Sequence, residues 1–590
     1  MEQLLSFYKN QIAVHKQQLA EVKKQLLLSS ILRLVVFSAM AFGVYMTFGN
    51  VKLVMGIVLG GIALFLFLVS KHTDLRYKKD KIEAILKINA TEILVLERKF
   101  HDLPNGQEFA DSEHFFSQDI DLFGKGSFYQ YCNRTTLKQG SETLATLFLA
   151  NTLTAIPSKQ EAIEELAGIP EWRQEFSAIA SLVKTETPYH SIIKWLQTYT
   201  TFVPKVMKLL PTLFSVISLV LVGGYFSAFL PGWPVLIWFL LGLGITGLYF
   251  KSITKLAMDT SKVHSTFQQY QKLIVEIEGI AFKASLLSDK KNNVMDGKGK
   301  TSERLKEFSR ILNALDQRNN MLFGFLGNAF LLWDLHQAFK IEAWIMKYRS
   351  AVPQWFKTIA FFDAYNSLGN FKFNHPEYRF PTISEEANIV LDAKAAAHPL
   401  LDPKKAVYND ILINADQFFI ITGANMAGKS TFLRTVSLQI VMANMGLPIC
   451  AEKAIYKPIK LITSMRTTDS LTDDESYFFS ELKRLKFIVD EIQHDRYFIV
   501  LDEILKGTNS TDKAIGSRKF VEKLVGSGAT GIIATHDLSL CEAADEIAQI
   551  ENHYFDAEII DDELHFDYKF KKGICQNMNA SFLLKKMEIV

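Results

Sequence analysis

The chain has 590 residues, room for about four domains at roughly 150 residues each. Apolar residues make up 48% and charged residues 22%, which excludes a disordered or supercharged chain, and Lys plus Arg against Asp plus Glu, 65 to 63, leaves no whole-protein charge argument for nucleic acid. The four cysteines (Cys132, Cys450, Cys541 and Cys575) are widely spaced with no CxxC pair, which argues against a disulfide framework or a zinc site and suits a reducing cytosol.

Residues 1–30 carry a helical pattern, with Leu4, Leu5, Ile12, Leu19, Val22 and Leu26 among Lys and Gln. Between Arg33 and Lys71 the only charged residue is Lys52, and the turn Gly49-Asn50-Val51-Lys52 divides two apolar runs. This predicts a transmembrane hairpin with spans at about 34–48 and 53–70. A secretory leader fits poorly, since a second span follows at once without a small-residue cleavage site. Residues 75–98 are again helical, and they either pair with 1–30 as an extension of the hairpin or stand as a separate surface helix.

Residues 101–208 read as mostly helical. Leu209–Phe250 is then 42 residues without a charge, broken at Pro231-Gly232-Trp233-Pro234, and predicts a second hairpin with spans at about 209–230 and 234–250. The alternative for each hairpin, a buried core pair, lacks the polar face that a core helix of this length normally shows. Basic residues flank both: Lys16, Lys23, Lys24 and Arg33, then Lys71, Arg76, Lys78, Lys79 and Lys81; Lys205 and Lys208, then Lys251 and Lys255. The positive-inside rule therefore places the termini and all large segments in the cytoplasm, with the chain in the inner (cytoplasmic) membrane. Residues 251–395 read as a helical continuation. Within them Leu287–Glu303 is polar and predicts a loop, and Met321–Trp333, apolar but holding Asn328, predicts a buried soluble helix rather than a fifth span.

From about 396 the pattern changes. Short β-rich runs at Asp416–Thr422, Tyr497–Asp502 and Gly531–Thr535 alternate with helical stretches, the signature of an α/β domain with a largely parallel sheet over 396–590. The first run ends in Gly423-Ala424-Asn425-Met426-Ala427-Gly428-Lys429-Ser430, which fits G-x-x-x-x-G-K-[ST] between a strand and a helix. Such glycines let backbone N–H groups curl round ATP phosphates at a helix N-terminus. Lys429 is then expected on the β/γ-phosphates and Ser430 on Mg2+. The second run ends in Asp502-Glu503, with Asp502 expected to hold Mg2+ and Glu503 to act as the general base on water. The third ends in Thr535-His536, which resembles the switch-histidine strand of ABC-type ATPases and marks His536 as catalytic.

Taken together these motifs resemble a MutS-family ATPase. The P-loop run 423–431, through Thr431 and with its Asn-Met pair, is similar to that family's variant. So are Asp502-Glu503-Ile504-Leu505-Lys506-Gly507-Thr508, His398-Pro399-Leu400-Leu401, Val407-Tyr408-Asn409-Asp410 and Met442-Ala443-Asn444-Met445-Gly446. Glu475-Ser476-Tyr477-Phe478-Phe479-Ser480-Glu481 stands where the family has its Ser-Thr-Phe signature, and the resemblance implies that Ser476 reaches the ATP γ-phosphate on the partner subunit. Upstream, Asn133-Arg134-Thr135-Thr136 and Ala360-Phe361-Phe362-Asp363-Ala364 are similar to the start and end of the family's helical core.

The resemblance implies an α/β P-loop ABC-type ATPase domain at the C-terminus, preceded by an all-α core interrupted by two transmembrane hairpins. It also implies a homodimer formed through the ATPase heads. No segment resembles the family's N-terminal mismatch-reading domain; a membrane hairpin stands where it would lie. Three functions follow as expectations: a membrane-anchored ATPase clamping DNA, as the family's repair role implies; a membrane-tethered mechanochemical ATPase acting on an unidentified protein partner; or an ABC transporter-like half-molecule. Against the last stand four spans rather than six and a missing Leu-Ser-Gly-Gly-Gln signature. The basic residues Lys290, Lys291, Lys298, Lys300 and Arg304 are a candidate phosphate contact.

Overall fold

The computed structural model describes residues 2–183, 187–296, 299–384, 388–466, 477–560 and 563–576. Two long helices open the chain. α1 (Glu2–Met46) has 45 residues and α2 (Val51–Leu96) has 46, each about 70 Å at 1.5 Å per residue. Gly49, at φ 107°, makes the turn between them, and Asn50 caps α2 through Leu53 N. The two helices pair along their length, so the 75–98 pattern is an extension of the hairpin rather than a separate surface helix. The apolar halves face outward: Phe42 is 62% exposed and Leu59 64%.

The other halves dock on a helical core through buried polar contacts. Asn89 of α2 exchanges amide hydrogen bonds with Gln174 of α3 (Pro170–Ser181). The second hairpin follows, as α4 (Leu210–Phe226) and α5 (Gly232–Gly279). α5 has 48 residues and runs without interruption from an exposed apolar half into the core. By length and composition α1, α2 and α5 are long and apolar enough to cross a membrane; α4, at 17 residues, is about 26 Å long.

Two sequence expectations need correction here. The polar stretch Leu287–Glu303 is not a simple loop. It holds most of a helix (Ser285–Asn292) and a small antiparallel pair (Met295–Asp296 with Gly299–Lys300), because Leu287 and Val294 are fully buried and anchor it. The apolar stretch Met321–Trp333 is not a buried helix. It forms α6 (Met321–Leu331), which lies against α4 and α5 and buries only Gly327, Asn328 and Ala329, leaving Met321 83% and Leu322 75% exposed. Composition alone predicted burial, but contact on one side leaves the other face of so apolar a helix bare.

α7 (Val352–Asn374) is the central core helix, buried along most of its length. Its Asp363 carboxylate accepts hydrogen bonds from the backbone N–H groups of Thr136 and Leu137, and its Ser367 hydroxyl accepts from Arg134 N. At its end His375 is held neutral: burial pulls its pKa down to about 4, and its ring bonds the Tyr131 hydroxyl and Phe371 O. An unfolded imidazole protonates near 6.5. Stability from this site is therefore present above about pH 6.5 and lost as pH falls towards 4, by at most about 3 kcal/mol. The thermal midpoint in detergent should fall across that window, and less steeply in His375→Gln, whose amide takes up no proton there. Parallel profiles would show that His375 does not contribute.

The C-terminal unit is built on a six-stranded sheet. In chain order its strands are β1 (Phe418–Gly423), β2 (Lys460–Ser464), β3 (Tyr497–Asp502), β4 (Thr530–Ala534), β5 (Ile550–Phe555) and β6 (Lys571–Lys572), and their spatial order is β6-β5-β1-β4-β3-β2. All pairings are parallel except β5 with β6. α8 (Lys429–Asn444), α9 (Tyr477–Glu491) and α10 (Ser510–Gly526) connect the strands, and a four-stranded sheet with strand Ile389–Ala396 flanks them. The register sets Ile421 beside Ala534 and Ala534 beside Asp502, so three strands end in one row. In open α/β sheets ligands bind beyond such carboxyl ends.

Candidate functional site

The P-loop leaves β1, all of whose residues are buried, and turns directly into α8. Gly423 has φ 148°, and a Cβ there would sit 2.5 Å from Phe555 O. Gly428, the residue before α8, has φ 109°. Both positions require glycine. Ala424 and Ala427 are buried, whereas Asn425, Met426, Ser430 and Thr431 face out at the mouth of the loop. The first turn of α8 offers unpaired backbone N–H groups and the positive end of the helix dipole to an anion.

Lys429 folds back over this loop. Its Nζ donates to Gly423 O at 2.6 Å and Ala424 O at 3.1 Å, and lies 3.3 Å from His536 Nε2. Burial lowers its pKa, and the nearby Glu503 and Asp502 oppose that shift. A lysine whose shortest bonds are to neutral carbonyls is a cation held ready for a stronger acceptor.

Ser430 Oγ donates to Asp502 Oδ2 at 2.9 Å. A hydroxyl beside a carboxylate is a hard-oxygen pair of the kind Mg2+ prefers, so these residues fit the ion. One position on, Glu503 has φ 48°, in the left-handed region, and its N–H bonds Ala534 O at 2.9 Å. That backbone turns its carboxylate towards His536, 2.9 Å from Nε2. The hydrogen bond to His536 is the main reason the Glu503 pKa is depressed to about 2, against the opposing effect of burial. Lys429, Ser430, Asp502, Glu503 and His536 thus meet at the strand tips, although 107 residues separate Lys429 from His536. Ser476 lies outside the described residues.

Three features carry roles that the sequence did not assign. Glu481 on α9 is 4% exposed, and its carboxylate accepts the N–H groups of Leu505 (2.6 Å) and Lys506 (3.1 Å). It clamps the turn that follows Glu503, where Leu505 is also left-handed at φ 59°. Tyr568, itself 42% exposed, lies beside the P-loop: a Cβ on Gly428 would be 3.1 Å from its ring. The third is a latch from the helical part. Asp119 accepts from Thr463 Oγ1, Met465 N and Arg466 N, and Asp121 pairs with Arg434 of α8 at 2.8 Å and with Arg466. Phe115 O also accepts Thr463 N, which covers the exposed edge of β2. Of the candidate phosphate contacts, Lys290 sits over the Phe361 ring, Lys291 bonds Ile280 O and Arg304 lies over the Tyr348 ring; Lys300 is exposed, and Lys298 lies outside the described residues.

Residues 419–586 match MutS domain V. Over 219 residues the chain is 31% identical to MutS protein homolog 4 of Homo sapiens, covering 35% of this chain and 23% of that protein. It is 30% identical over 225 residues to the DNA mismatch repair protein MutS of Desulfatibacillum aliphaticivorans, covering 36% and 25% of the two chains. For the DNA mismatch repair protein MutS of Flavobacterium psychrophilum the identity is 27% over 298 residues, 48% of this chain and 32% of that one. The chain therefore spans about a quarter to a third of the length of these curated relatives. The likeness is centred on the α/β unit that carries the site.

Proposed function

We propose that the chain is a membrane-anchored MutS-like ATPase whose heads close as a homodimer on ATP and part after hydrolysis. The observation that carries this reading is the convergence of Lys429, the Ser430–Asp502 pair and the Glu503–His536 pair at the carboxyl ends of adjoining strands. ATP phosphates would rest on the N-terminus of α8, and Lys429 would exchange the Gly423 and Ala424 carbonyls for β/γ-phosphate oxygens. Ser430 and Asp502 would hold Mg2+, which when bound neutralises charge on the phosphates. Glu503 would accept the proton of the attacking water, with His536 holding its carboxylate in place. Ser476 of each head would complete the other's site.

Lys429→Ala should weaken ATP binding by about 10- to 100-fold, the equivalent of the ~1.5–3 kcal/mol of one charge-assisted hydrogen bond. Titration of the detergent-solubilised chain with a fluorescent ATP analogue measures it. Equal affinity in the two proteins would remove the nucleotide assignment.

DNA is the ligand the relatives' names suggest, since two of them are DNA mismatch repair proteins. A head that clamps duplex should bind it with an affinity falling steeply as salt rises, because phosphate contacts release counterions. No binding at low salt would favour the second reading, a mechanochemical ATPase acting on a protein partner. The uninterrupted run of α5 from its apolar half into the core suits that second reading, in which head motion would have to pass through the core to the membrane segments. We place the anchor in the inner membrane, with the heads in the cytoplasm.

A further inference from the structure

We propose that α6 is itself a membrane element: a half-length helix whose bare face is covered by the acyl chains of the leaflet nearest the helical core. This rests on the reading that α4 and α5 are anchored in a bilayer. The outward residues of α6 are Met321, Leu322, Phe325 and Leu326, from 83% to 50% exposed. Their i, i+1, i+4, i+5 spacing makes one face. That face adjoins the outward apolar rows of the second hairpin, including Val216 and Leu219 on α4 and Leu236 and Leu240 on α5, with the Phe325 ring 5.4 Å from Phe239. A patch this continuous is unlike the scattered single apolar residues of a water-facing surface.

The ends of α6 supply the second observation. Its first turn is capped by Asn320 Oδ1, which accepts from Phe323 N. At the other end Ser218 Oγ of α4 donates to Phe330 O at 2.6 Å and accepts Trp238 Nε1 of α5 at 2.8 Å. Leu332 breaks the helix at φ 48°, and Asn328 closes the break by donating to Gly324 O and accepting Asp334 N. Trp333 Nε1 reaches Ala314 O. In water these groups need no protein partner; among acyl chains irregular backbone survives only when protein satisfies it.

Packing agrees. A Cβ on Gly242 of α5 would collide with the Ala329 carbonyl, so the two helices touch backbone to backbone, as small residues allow in membranes. At 11 residues α6 is about 16 Å long, too short to cross a ~30 Å hydrocarbon core, and the residues before and after it meet, which keeps it in one leaflet. The preceding Arg318 pairs with Asp334 at 3.2 Å and donates to Thr254, three residues past Lys251, which puts the start of α6 at the same interface as the basic flank of α5.

The test is a fluorophore that reports its surroundings, placed on the full chain in phosphatidylcholine vesicles. Leu322→Cys and Leu326→Cys report on α6, and Leu219→Cys reports on the anchor itself. Wild type, whose four cysteines are all buried, gives the background. Lipids carry a nitroxide either in the acyl chain or on the headgroup. All three positions should show a blue shift and lose emission to the acyl-chain nitroxide. Quenching at 219 with water-like emission at 322 and 326 would overturn the role of α6 while leaving the anchor in place. No quenching at any position would remove the anchor and this inference together. Emission at 322 and 326 that is blue-shifted but unquenched by either lipid would mean that a second copy covers the face, which also overturns the proposal.

Discussion

Glu503→Gln is expected to keep ATP bound and to slow its hydrolysis by about 10²–10⁴-fold, the usual worth of a general base. The substitution preserves shape and the Ala534 backbone contact but removes the group that takes the proton. Glu503 is ionised across the working pH range, because His536 holds its pKa at about 2. Its protonation therefore sets no acid limb on the rate above about pH 3, whereas His536→Ala should let the pKa rise towards the ordinary carboxylate value near 4.3 and carry an acid limb with it. Single-turnover assays separate binding from chemistry. Unchanged turnover in Glu503→Gln would mean that another group activates the water. Because Lys429→Ala is expected to act on binding and Glu503→Gln on turnover, the two variants fail in different ways.

The second large effect is on stability. Glu92 of α2 is 1% exposed and accepts hydrogen bonds from Arg134 Nε at 2.6 Å and Asn374 Nδ2 at 2.8 Å. Asn374 in turn accepts from the hydroxyl of Tyr8 on α1. One carboxylate therefore joins both helices of the first hairpin to the end of α7. Glu92→Ala strands the Arg134 guanidinium in the interior and should cost about 3–5 kcal/mol, while Glu92→Leu combined with Arg134→Met should recover much of that loss. Thermal unfolding in detergent reads the difference. A loss below about 1 kcal/mol, typical of an exposed pair, would show that the contact carries no load.

The same contacts trace a route from the site to the first hairpin. The far end of α8 meets the core where Asn444 O accepts from Lys159 Nζ, and a Cβ on Gly446 would strike Lys159. Lys159 lies on helix Ile156–Ala167, which packs against α7, and α7 ends at the Glu92 network. Movement of the P-loop helix thus has a continuous packed path to α1 and α2.

What could be read from the sequence is local. The P-loop, the Asp502-Glu503 strand end and the charge-free hairpins are contiguous runs whose chemistry depends on neighbours a few residues away. Glu92 and Asp119 act through partners that the chain brings from afar: Asn374 is 282 residues from Glu92, and Thr463 is 344 from Asp119. No periodicity marks such residues. α6 failed differently, because an apolar run of 11 residues fits a core or a bilayer equally well and only packing on α4 and α5 decides which face stays bare. The polar stretch at 287–303 hid two apolar anchors, Leu287 and Val294, among residues that favour turns.

The most direct measurement is ATP hydrolysis by membranes washed at alkaline pH, which strips peripheral proteins and leaves spanning ones. The chain should stay with the washed membranes, and their ATPase activity should disappear in Glu503→Gln. Release of a folded, active chain into the wash would contradict this, since the nucleotide site would then work with no anchor at all.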